Sequence, residues 1–509
     1  MIFLKRASLL LVVMSMVLGG AVGCKEKVPD AESVESTEST GTPLSGTEIL
    51  PNDKDDLPED LDFDGATITL YSYVQEESTR EMFQGDYSTD AVQQAMYLRN
   101  TSLESRLNCD IEIYERVGDT NQSTVSDDME KIVASGSTLY SIVATAGFQM
   151  CSMVLKGYYQ NLANLNYIDF DKDYYSQGYN EALSVGDAQY LITGKFSLSF
   201  YRYMIPMLFN KTLFTNAGVE YPYQTVIDGG WDFEEVARLS SLFDADLDGD
   251  GMDVDDRYGY AMWVGPGSSH TDGYMTSSGL HALGKTKDNL YRNDLSSTAD
   301  FSNAIDNILK MMYAEGSYTS STYFNHIQKF SQGTVAMTSF RIFYLEDEHL
   351  RELGNTGNGY GILPSPKSDS ETQANYYSYI QDQNILYGIP MTLTGENAIR
   401  ASQFLEAYAC ASYASVRPVY YEKLLTTRYV SDPQSVRMIQ IMEDSVVVDP
   451  ANVYIDAVGV KVFSTTQLRY IYAGGTNTVA SLLEGNKDII SEGVINLNLQ
   501  FEELLKKLG

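Results

Sequence analysis

The sequence predicts an α/β protein whose parallel strands are covered by helices. From residue 64 to residue 145, short β-branched or apolar runs alternate with longer runs of helical periodicity. Such alternation is typical of parallel sheets with helices on their faces. The chain has 509 residues, of which 43% are hydrophobic. That length suits two or three domains, and that composition suits a large core.

The predicted elements follow in chain order without an internal repeat. The first five are a strand at 64–71, a helix at 89–107, a strand at 109–114, a helix at 126–135 and a strand at 139–145. Residues 189–210 are aromatic and are predicted to be β-rich. Further helices are predicted at 233–243, 298–314, 323–332, 396–415 and 476–486.

The N-terminus has the pattern of a secretory signal peptide over residues 1–23. Lys5 and Arg6 precede an uncharged apolar run that ends in small residues. This run is shorter than the roughly 20 residues that a membrane span needs. The stretch that ends at Cys24 resembles the lipobox of bacterial lipoproteins, whose cysteine receives lipid such as palmitate and becomes the mature N-terminus. The alternatives are an ordinary signal peptide with an incidental cysteine, or an uncleaved anchor.

Residues 24–61 are predicted to be the lipidated cysteine and a disordered acidic linker. They are rich in Ser, Thr, Glu, Asp, Pro and Gly, and such segments have too little apolar surface to fold. The formal net charge of the chain is −34. Because so negative a chain repels phosphate backbones, we exclude nucleic acid as the main partner. A neutral or cationic ligand is easier to accept than an anionic one.

Cysteine and histidine spacings give no metal-binding or redox motif. Besides Cys24 the chain has Cys109, Cys151 and Cys410. We expect these three to be small buried hydrophobic residues.

An acidic loop at 244–256 resembles the first half of an EF-hand calcium loop. Asp246, Asp248 and Asp250 take positions 1, 3 and 5, and a glycine takes position 6. Oxygen ligands at this spacing suit Ca²⁺ as a structural ion. The predicted ligands are Asp246, Asp248, Asp250, Met252 through its carbonyl, and Asp255 or Asp256 in place of the usual glutamate, since Arg257 stands at position 12. A second register begins at Asp244, and a solvated acidic turn is the alternative interpretation.

Several later motifs together resemble family 1 extracellular solute-binding proteins, the lipoprotein subunits of ABC importers. The resemblance covers residues 62–495. The motifs are Phe209–Phe214 with Ala217–Pro222, Trp231–Glu235 with Asp232 as an N-cap, Asp246–Gly251 followed by Arg257–Gly259, Phe330–Met337, and Tyr360–Lys367.

The resemblance implies a periplasmic-binding-protein type II-like fold of two lobes joined by hinge strands. It places lobe 1 at 62–203 plus 360–415 and lobe 2 at 204–359 plus 416–509. It implies capture of a sugar or oligosaccharide between the lobes, without catalysis, and delivery to ABC permease subunits. The protein is then expected to be a monomer on the extracellular face of the cell membrane, held there only by its lipid.

Six residues are candidate ligand contacts. Sugars present C–H surfaces to aromatic rings and hydroxyls to polar groups. Binding residues often lie on the loops that follow strands, so aromatic and polar residues near predicted strand ends are favoured. The candidates are Tyr71, Tyr73, Tyr201, Tyr203, Trp263 and Arg341. Arg341 could direct its planar fork at hydroxyls. Packing inside a lobe is the rival interpretation for each aromatic residue.

Two other functions fit a lipid-anchored chain of this kind. One is a surface glycan-binding or adhesion lipoprotein that serves no transporter. The other is a tethered glycoside hydrolase, which needs two carboxylates at a set separation. With 69 acidic residues, sequence pairs cannot identify such carboxylates. Saturable binding without product distinguishes a binding protein from a hydrolase.

Overall fold

The computed structural model describes residues 54–74, 80–82, 85, 88–117, 123–295, 298–346, 359–426, 433–454 and 465–508. The predicted signal peptide, Cys24 and most of the predicted linker lie outside these ranges. Within them, no helix has both the length and the apolar character required to cross a bilayer.

The first sheet has four strands and contains the predicted strands of the N-terminal part. Its members are β1 (Ala66–Val74), β2 (Cys109–Val117), β3 (Ile142–Ala146) and β11 (Ile385–Gly388). They lie in the order β11-β3-β1-β2. β1 is parallel to β2 and β3, whereas β11 is antiparallel to β3. The predicted strand–helix alternation is therefore confirmed. β11, which comes late in the chain, forms the edge of the sheet beside β3.

The second sheet has five strands in the order β10-β4-β9-β5-β8. Their bounds are Met207–Asn210 for β4, Tyr258–Trp263 for β5, Ser317–Ser320 for β8, Val335–Ser339 for β9 and Tyr360–Leu363 for β10. β5 is parallel to β8 and β9, so these three strands end at the same edge. β4 is antiparallel to β9 and β10. A small hairpin joins β6 (Leu283–Lys285) and β7 (Tyr291–Asn293).

Sixteen α-helices are described around these sheets. In chain order, α1 to α16 are Ala91–Leu107, Thr124–Ser135, Gly147–Leu155, Gln177–Leu183, Leu198–Arg202, Lys211–Ala217, Tyr223–Ile227, Phe233–Ser240, Asp272–Ser277, Thr298–Met312, Asn325–Ser331, Glu396–Thr426, Pro433–Asp444, Pro450–Val453, Thr465–Gly474 and Val479–Leu508. Asp232 caps α8 as predicted, because its carboxylate accepts the Glu235 N–H at 2.9 Å.

The prediction of a β-rich stretch at 189–210 is wrong for most of its length. Only Met207–Asn210 forms a ladder strand, and Leu198–Arg202 is helical. The cause is a distant side chain. Glu81 is buried, and its two carboxylate oxygens accept the N–H groups of Leu198 and Ser199 at 3.0 and 2.9 Å. This carboxylate satisfies two of the N–H donors that a helix start leaves without a partner in the helix.

Folded structure begins before the predicted end of the linker at residue 61. The Asp55 carboxylate pairs with both terminal nitrogens of Arg106 at 2.6 and 2.7 Å. Asp56 pairs with Lys172 at 2.8 Å, and Leu57 is buried. These contacts hold residues 55–57 against the first half of the fold.

Two of the predicted lobe boundaries do not match the observed sheets and helices. Residue 360 was predicted to begin the return to lobe 1, but β10 pairs with β4 in the second sheet. The return to the first sheet is instead completed at β11. The predicted boundary at 415 falls inside the continuous helix α12.

The three described cysteines are free thiols. Cys109 and Cys151 are buried, as predicted, whereas Cys410 is half-buried. Burial raises the pKa of the Cys109 thiol to about 12, so it is protonated at neutral pH.

Candidate ligand-binding cleft

A cavity of about 700 Å³ lies beyond the ends of the parallel strands in the second sheet. Its lining residues are Phe148, Gly267, Ser269, Tyr323, Phe324, Arg341, Phe343, Tyr344, Gln381, Asp382, Gln383 and Arg469. Segments that follow β5, β8 and β9 meet there with the start of α3, which follows β3, and with the segment before β11. Ligands of open α/β sheets bind at this place, outside the carboxyl ends of the strands. We call this cavity the cleft.

Glycines allow the chain to turn at the end of β5. Gly265 has a φ of +139°, a value that residues with a side chain rarely adopt. A Cβ atom on Gly267 would come within 3.1 Å of the Trp263 ring. The loop therefore packs closely over Trp263 and brings Gly267 and Ser269 to the cleft.

Arg341 joins two segments of the cleft through uncharged partners. Its Nη1 donates to Gln381 Oε1 at 2.6 Å and to Gln383 Oε1 at 3.2 Å, and its Nη2 donates to the Tyr344 hydroxyl at 2.7 Å. Its guanidinium lies 4.6 Å from the centre of the Phe343 ring, within cation–π range. These contacts fix the position of the cation at the cleft wall.

A second arginine reaches the cleft from α15. Arg469 Nε donates to Asp272 Oδ1 at 2.8 Å, and its Nη2 donates to the other oxygen of the same carboxylate. Its Nη1 donates to the Pro266 carbonyl at 3.0 Å. Two parallel hydrogen bonds make this a geometrically specific ion pair. It ties α15 to α9 and to the loop after β5.

Asp382 is the carboxylate that faces the cleft. It is half-buried, and among the described residues it forms no ion pair and no hydrogen bond to another side chain. Burial, followed by the negative charge of Asp272, raises the pKa of Asp382 to about 6. The charges of Arg469 and Arg341 oppose that rise. At neutral pH Asp382 is therefore mostly ionised and can accept hydrogen bonds from a ligand.

Aromatic rings form another wall of the cleft. Tyr323 is 63% exposed, and Trp263 meets it edge-on with ring centres 4.8 Å apart. Phe324 and Phe148 also line the cavity. A pocket with apolar rings and a few fixed polar groups is a usual arrangement for small-molecule binding.

The six predicted ligand contacts have different positions in the structure. Arg341 lines the cleft, and Trp263 lies directly behind its aromatic wall. Tyr203 is buried beneath Arg341, with its ring centre 5.9 Å from the guanidinium carbon. The other three tyrosines are buried and are not among the lining residues.

The rival interpretation, packing inside the fold, describes Tyr71, Tyr73 and Tyr201. Tyr71 donates to Asp128 at 3.2 Å and packs on Tyr140. The Tyr201 hydroxyl donates to Glu443 at 3.0 Å and accepts from Arg417 at 2.8 Å. Alternation along a predicted strand cannot distinguish a core tyrosine from a ligand contact, because an aromatic side chain suits both positions.

Sequence reasoning did not identify most residues of the cleft. Gln381, Asp382 and Gln383 precede β11, and Tyr323 and Phe324 follow β8. Neither of these strands was predicted, and Tyr323 and Phe324 fall inside the predicted helix at 323–332, so no local signal marked these residues. Residues from about 60 positions apart meet there, so only knowledge of the strand order would have grouped them.

The structure brings together three of the predicted calcium ligands. Single carboxylate oxygens of Asp246, Asp248 and Asp250 lie within 4.8 Å of one another, and all three residues are exposed. Asp255 and Asp256 are not members of this group. Asp256 is buried, and its two oxygens accept the N–H groups of Leu247 and Asp253, both at 2.7 Å. Asp256 therefore holds the loop backbone in place.

Comparison with known proteins gives structural likeness without sequence likeness. No family model matches the chain, and no curated protein matches it. A sugar transporter from Rhizobium etli, solved in an open conformation, superimposes with a TM-score of 0.56 at 15% identity, over 84% of this chain and 99% of that one.

Two further solved structures are similar to a comparable degree. A cyclo/maltodextrin-binding protein complexed with maltotetraose has a TM-score of 0.55 at 13% identity, over 84% of this chain and 97% of that one. An ABC transporter solute-binding protein from Thermotoga lettingae, bound with α-D-tagatose, has a TM-score of 0.51 at 13% identity, over 84% and 100%. The chain thus has the type II periplasmic-binding-protein fold that the sequence resemblance implied.

Proposed function

We propose that this protein is a solute-binding protein that captures a sugar or oligosaccharide in the cleft and delivers it to an ABC transporter permease. The observation that carries the proposal is the cleft itself. At the strand ends of a solute-binding fold, it combines a fixed guanidinium, an unpaired carboxylate, the exposed ring of Tyr323 and other, half-buried aromatic rings. The similar proteins named as binders of maltotetraose and tagatose support a carbohydrate.

The chemistry of the cleft suits a neutral polyhydroxylated ligand. Each sugar hydroxyl both donates and accepts a hydrogen bond. Asp382 can accept, whereas Arg341 and the two glutamines beside it can donate. The Tyr323 ring offers a face to the C–H surface of a sugar. Arg469 is neutralised by Asp272, so the cleft combines one free anion with one cation and does not favour a strongly charged ligand.

The test is a thermal-shift screen of the mature chain against a glycan panel, with amino acids and peptides as controls. A binding glycan raises the melting temperature, since it binds only the folded state. Chromatography of the same mixtures checks for turnover. Saturable binding without product supports the proposal. Hydrolysis of an oligosaccharide would establish the tethered hydrolase instead, and a response to peptides alone would remove the carbohydrate class.

We also propose that lipid on Cys24 anchors the mature chain, as a monomer, to the extracellular face of the cell membrane. Without residues 1–23, the chain has 33 basic and 69 acidic residues, and its formal charge is −36. Anionic lipid surfaces repel such a chain, so retention needs an anchor. Cys24→Ser is expected to release the protein from membranes; continued retention would indicate an uncleaved N-terminal anchor.

We further propose Ca²⁺ as a structural ion of the acidic loop. The neighbouring carboxyl of Asp248, and then slight loss of hydration and the charges of Asp253 and Asp256, raise the pKa of the exposed Asp250. A hard cation relieves this crowding by binding the oxygens. Chelation is expected to lower the melting temperature of the wild type but not of Asp246→Asn/Asp250→Asn. An unchanged wild-type melting temperature would eliminate calcium.

A further inference from the structure

One fully buried imidazole lies directly behind the wall of the cleft. His270 follows Ser269, a lining residue, and has no solvent exposure. Its ring is nearly parallel to that of Phe324, with centres 5.9 Å apart, and meets Tyr344 edge-on at 5.9 Å. Phe324 and Tyr344 both line the cleft. A single layer of side chains therefore separates the imidazole from the ligand space.

The polar atoms of His270 have no partners inside the protein. Among the described residues, neither Nδ1 nor Nε2 makes a hydrogen bond. Burial, and then the nearby His326, Arg341 and Arg469, hold the pKa of His270 well below its usual value. The ring is therefore neutral and carries one N–H donor and one nitrogen acceptor. Leaving both unpaired in the interior lowers stability, and such groups are rare in folded proteins.

The residue that covers His270 has a strained backbone. Phe324 has φ 56° and ψ 10°, in the left-handed region. This conformation is unusual for a bulky residue and is found mainly at functional sites. Two unfavourable features thus meet at one contact, the unpaired imidazole and the strained ring above it. A shift of Phe324 to an ordinary backbone conformation would relieve its strain and remove one of the four rings that contact His270, the others being Trp263, His326 and Tyr344.

We propose that His270 is a specificity-determining ligand contact, reached when Phe324 turns aside and paired through its two ring nitrogens with hydroxyl groups of the bound sugar. This proposal rests on the proposed function of the cleft. It adds a deeper hydroxyl-binding position to the one formed by Arg341 and Asp382. His326 is also fully buried with both ring nitrogens unpaired, but its ring contacts are to His270, 5.3 Å away, and to Phe340, and neither of these residues lines the cleft.

The test compares His270→Leu with His326→Leu, a matched change of a second buried histidine. The probes are maltotetraose, cellotetraose, xylotetraose and mannotetraose, measured by thermal shift and calorimetry. His270→Leu is expected to raise the melting temperature of the ligand-free protein, because an unpaired polar group is replaced by an apolar one. It is also expected to weaken binding of the tetrasaccharide that binds wild type by roughly 10- to 100-fold, about the effect of two lost hydrogen bonds.

His326→Leu is expected to leave affinity unchanged, and His270→Asn, which keeps a donor and an acceptor, to retain part of it. The imidazole ¹⁵N resonances of His270 are identified in the wild-type spectrum by their absence from His270→Leu or from His270→Asn, and they are expected to shift on ligand addition. This measurement on wild type tests the contact between His270 and the ligand even if His270→Leu folds poorly. Wild-type affinity in His270→Leu, or ¹⁵N resonances that do not move, overturns the role of His270 and leaves the proposed function intact. Failure of these four tetrasaccharides and of every other sugar in the glycan panel to bind wild type overturns both.

Discussion

The guanidinium of Arg341 shows how one residue can connect several segments that line the cleft. Its hydrogen bonds to Gln381 and Gln383 link the segment after β9 to the segment before β11. The first of these strands belongs to the second sheet and the other to the first sheet. Because its partners are uncharged, the guanidinium keeps its full charge available for a ligand in the cleft.

Arg341→Lys is expected to weaken ligand binding while leaving the fold intact. Lysine keeps the charge but loses the planar fork that addresses several oxygens at once. Hydrogen bonds to charged groups contribute about 1.5–3 kcal/mol, so affinity should fall roughly 10- to 100-fold. Calorimetry with the best glycan of the panel measures this change. Arg400→Lys, which alters an exposed ion pair with Glu396, is the control and should bind as wild type does.

The buried histidines make stability depend on pH. Burial lowers the pKa of His326 to about 3 and that of His270 well below 6.5. The unfolded chain takes up these protons below about pH 6.5, whereas the folded chain does not. The contribution of both residues is thus fully present above pH 6.5 and is lost as the pH falls towards 3.

The variant His270→Leu/His326→Leu is therefore expected to lose less stability than wild type between pH 6.5 and 4. Urea unfolding at several pH values measures the difference. Glu406, whose pKa burial raises to about 7, acts in the opposite direction but is common to both proteins. Parallel pH curves for the two proteins would mean that the histidines do not carry this dependence.

At the scale of elements, local periodicity predicted the N-terminal strands and helices. β1, α1, β2, α2 and β3 lie within a few residues of their predicted places, because each buries a face that its own sequence encodes. The predictions are wrong where residues distant in the sequence determine the local structure. Glu81 turns Leu198–Arg202 into a helix, and pairing with β4 assigns β10 to the second sheet. Neither interaction leaves a local signal.

The approach of β5 to α8 allows a test of packing between elements. A Cβ atom on Gly259 would lie 2.0 Å from the Ser240 carbonyl oxygen at the end of α8. Gly259→Ala must therefore displace backbone, and overpacking of this kind typically costs about 1–3 kcal/mol. Gly485 has nothing within 4 Å of a Cβ position and lies inside α16. Gly485→Ala should instead increase the free energy of unfolding by about 0.5–1 kcal/mol, because alanine favours a helix more than glycine does.

Denaturant unfolding of both variants measures these opposite effects. A loss of stability in Gly259→Ala with a gain in Gly485→Ala supports the close contact. If Gly259→Ala had the same free energy of unfolding as wild type, α8 would be able to shift away from β5 without loss of stability.

At the scale of the whole molecule, the cleft lies where segments next to the two sheets meet. Phe148 and Gln381–Gln383 belong to segments next to β3 and β11 of the first sheet, whereas Tyr323 and Arg341 follow strands of the second. A ligand that contacts both sets stabilises whichever arrangement brings them together. Proteins of this architecture close around ligands by hinge motion.

We therefore expect ligand binding to make the mature Cys24→Ser chain more compact. Small-angle X-ray scattering with and without the best glycan of the panel measures the radius of gyration. A saturating ligand should reduce it, because a ligand gains contacts to both sheets only in a closed arrangement and shifts the population accordingly. A glycan that does not bind serves as the control for solvent contrast. Identical scattering curves at full saturation would mean that the cleft already has its ligand-bound geometry, and that Arg341 and its glutamine partners fix it before the ligand arrives.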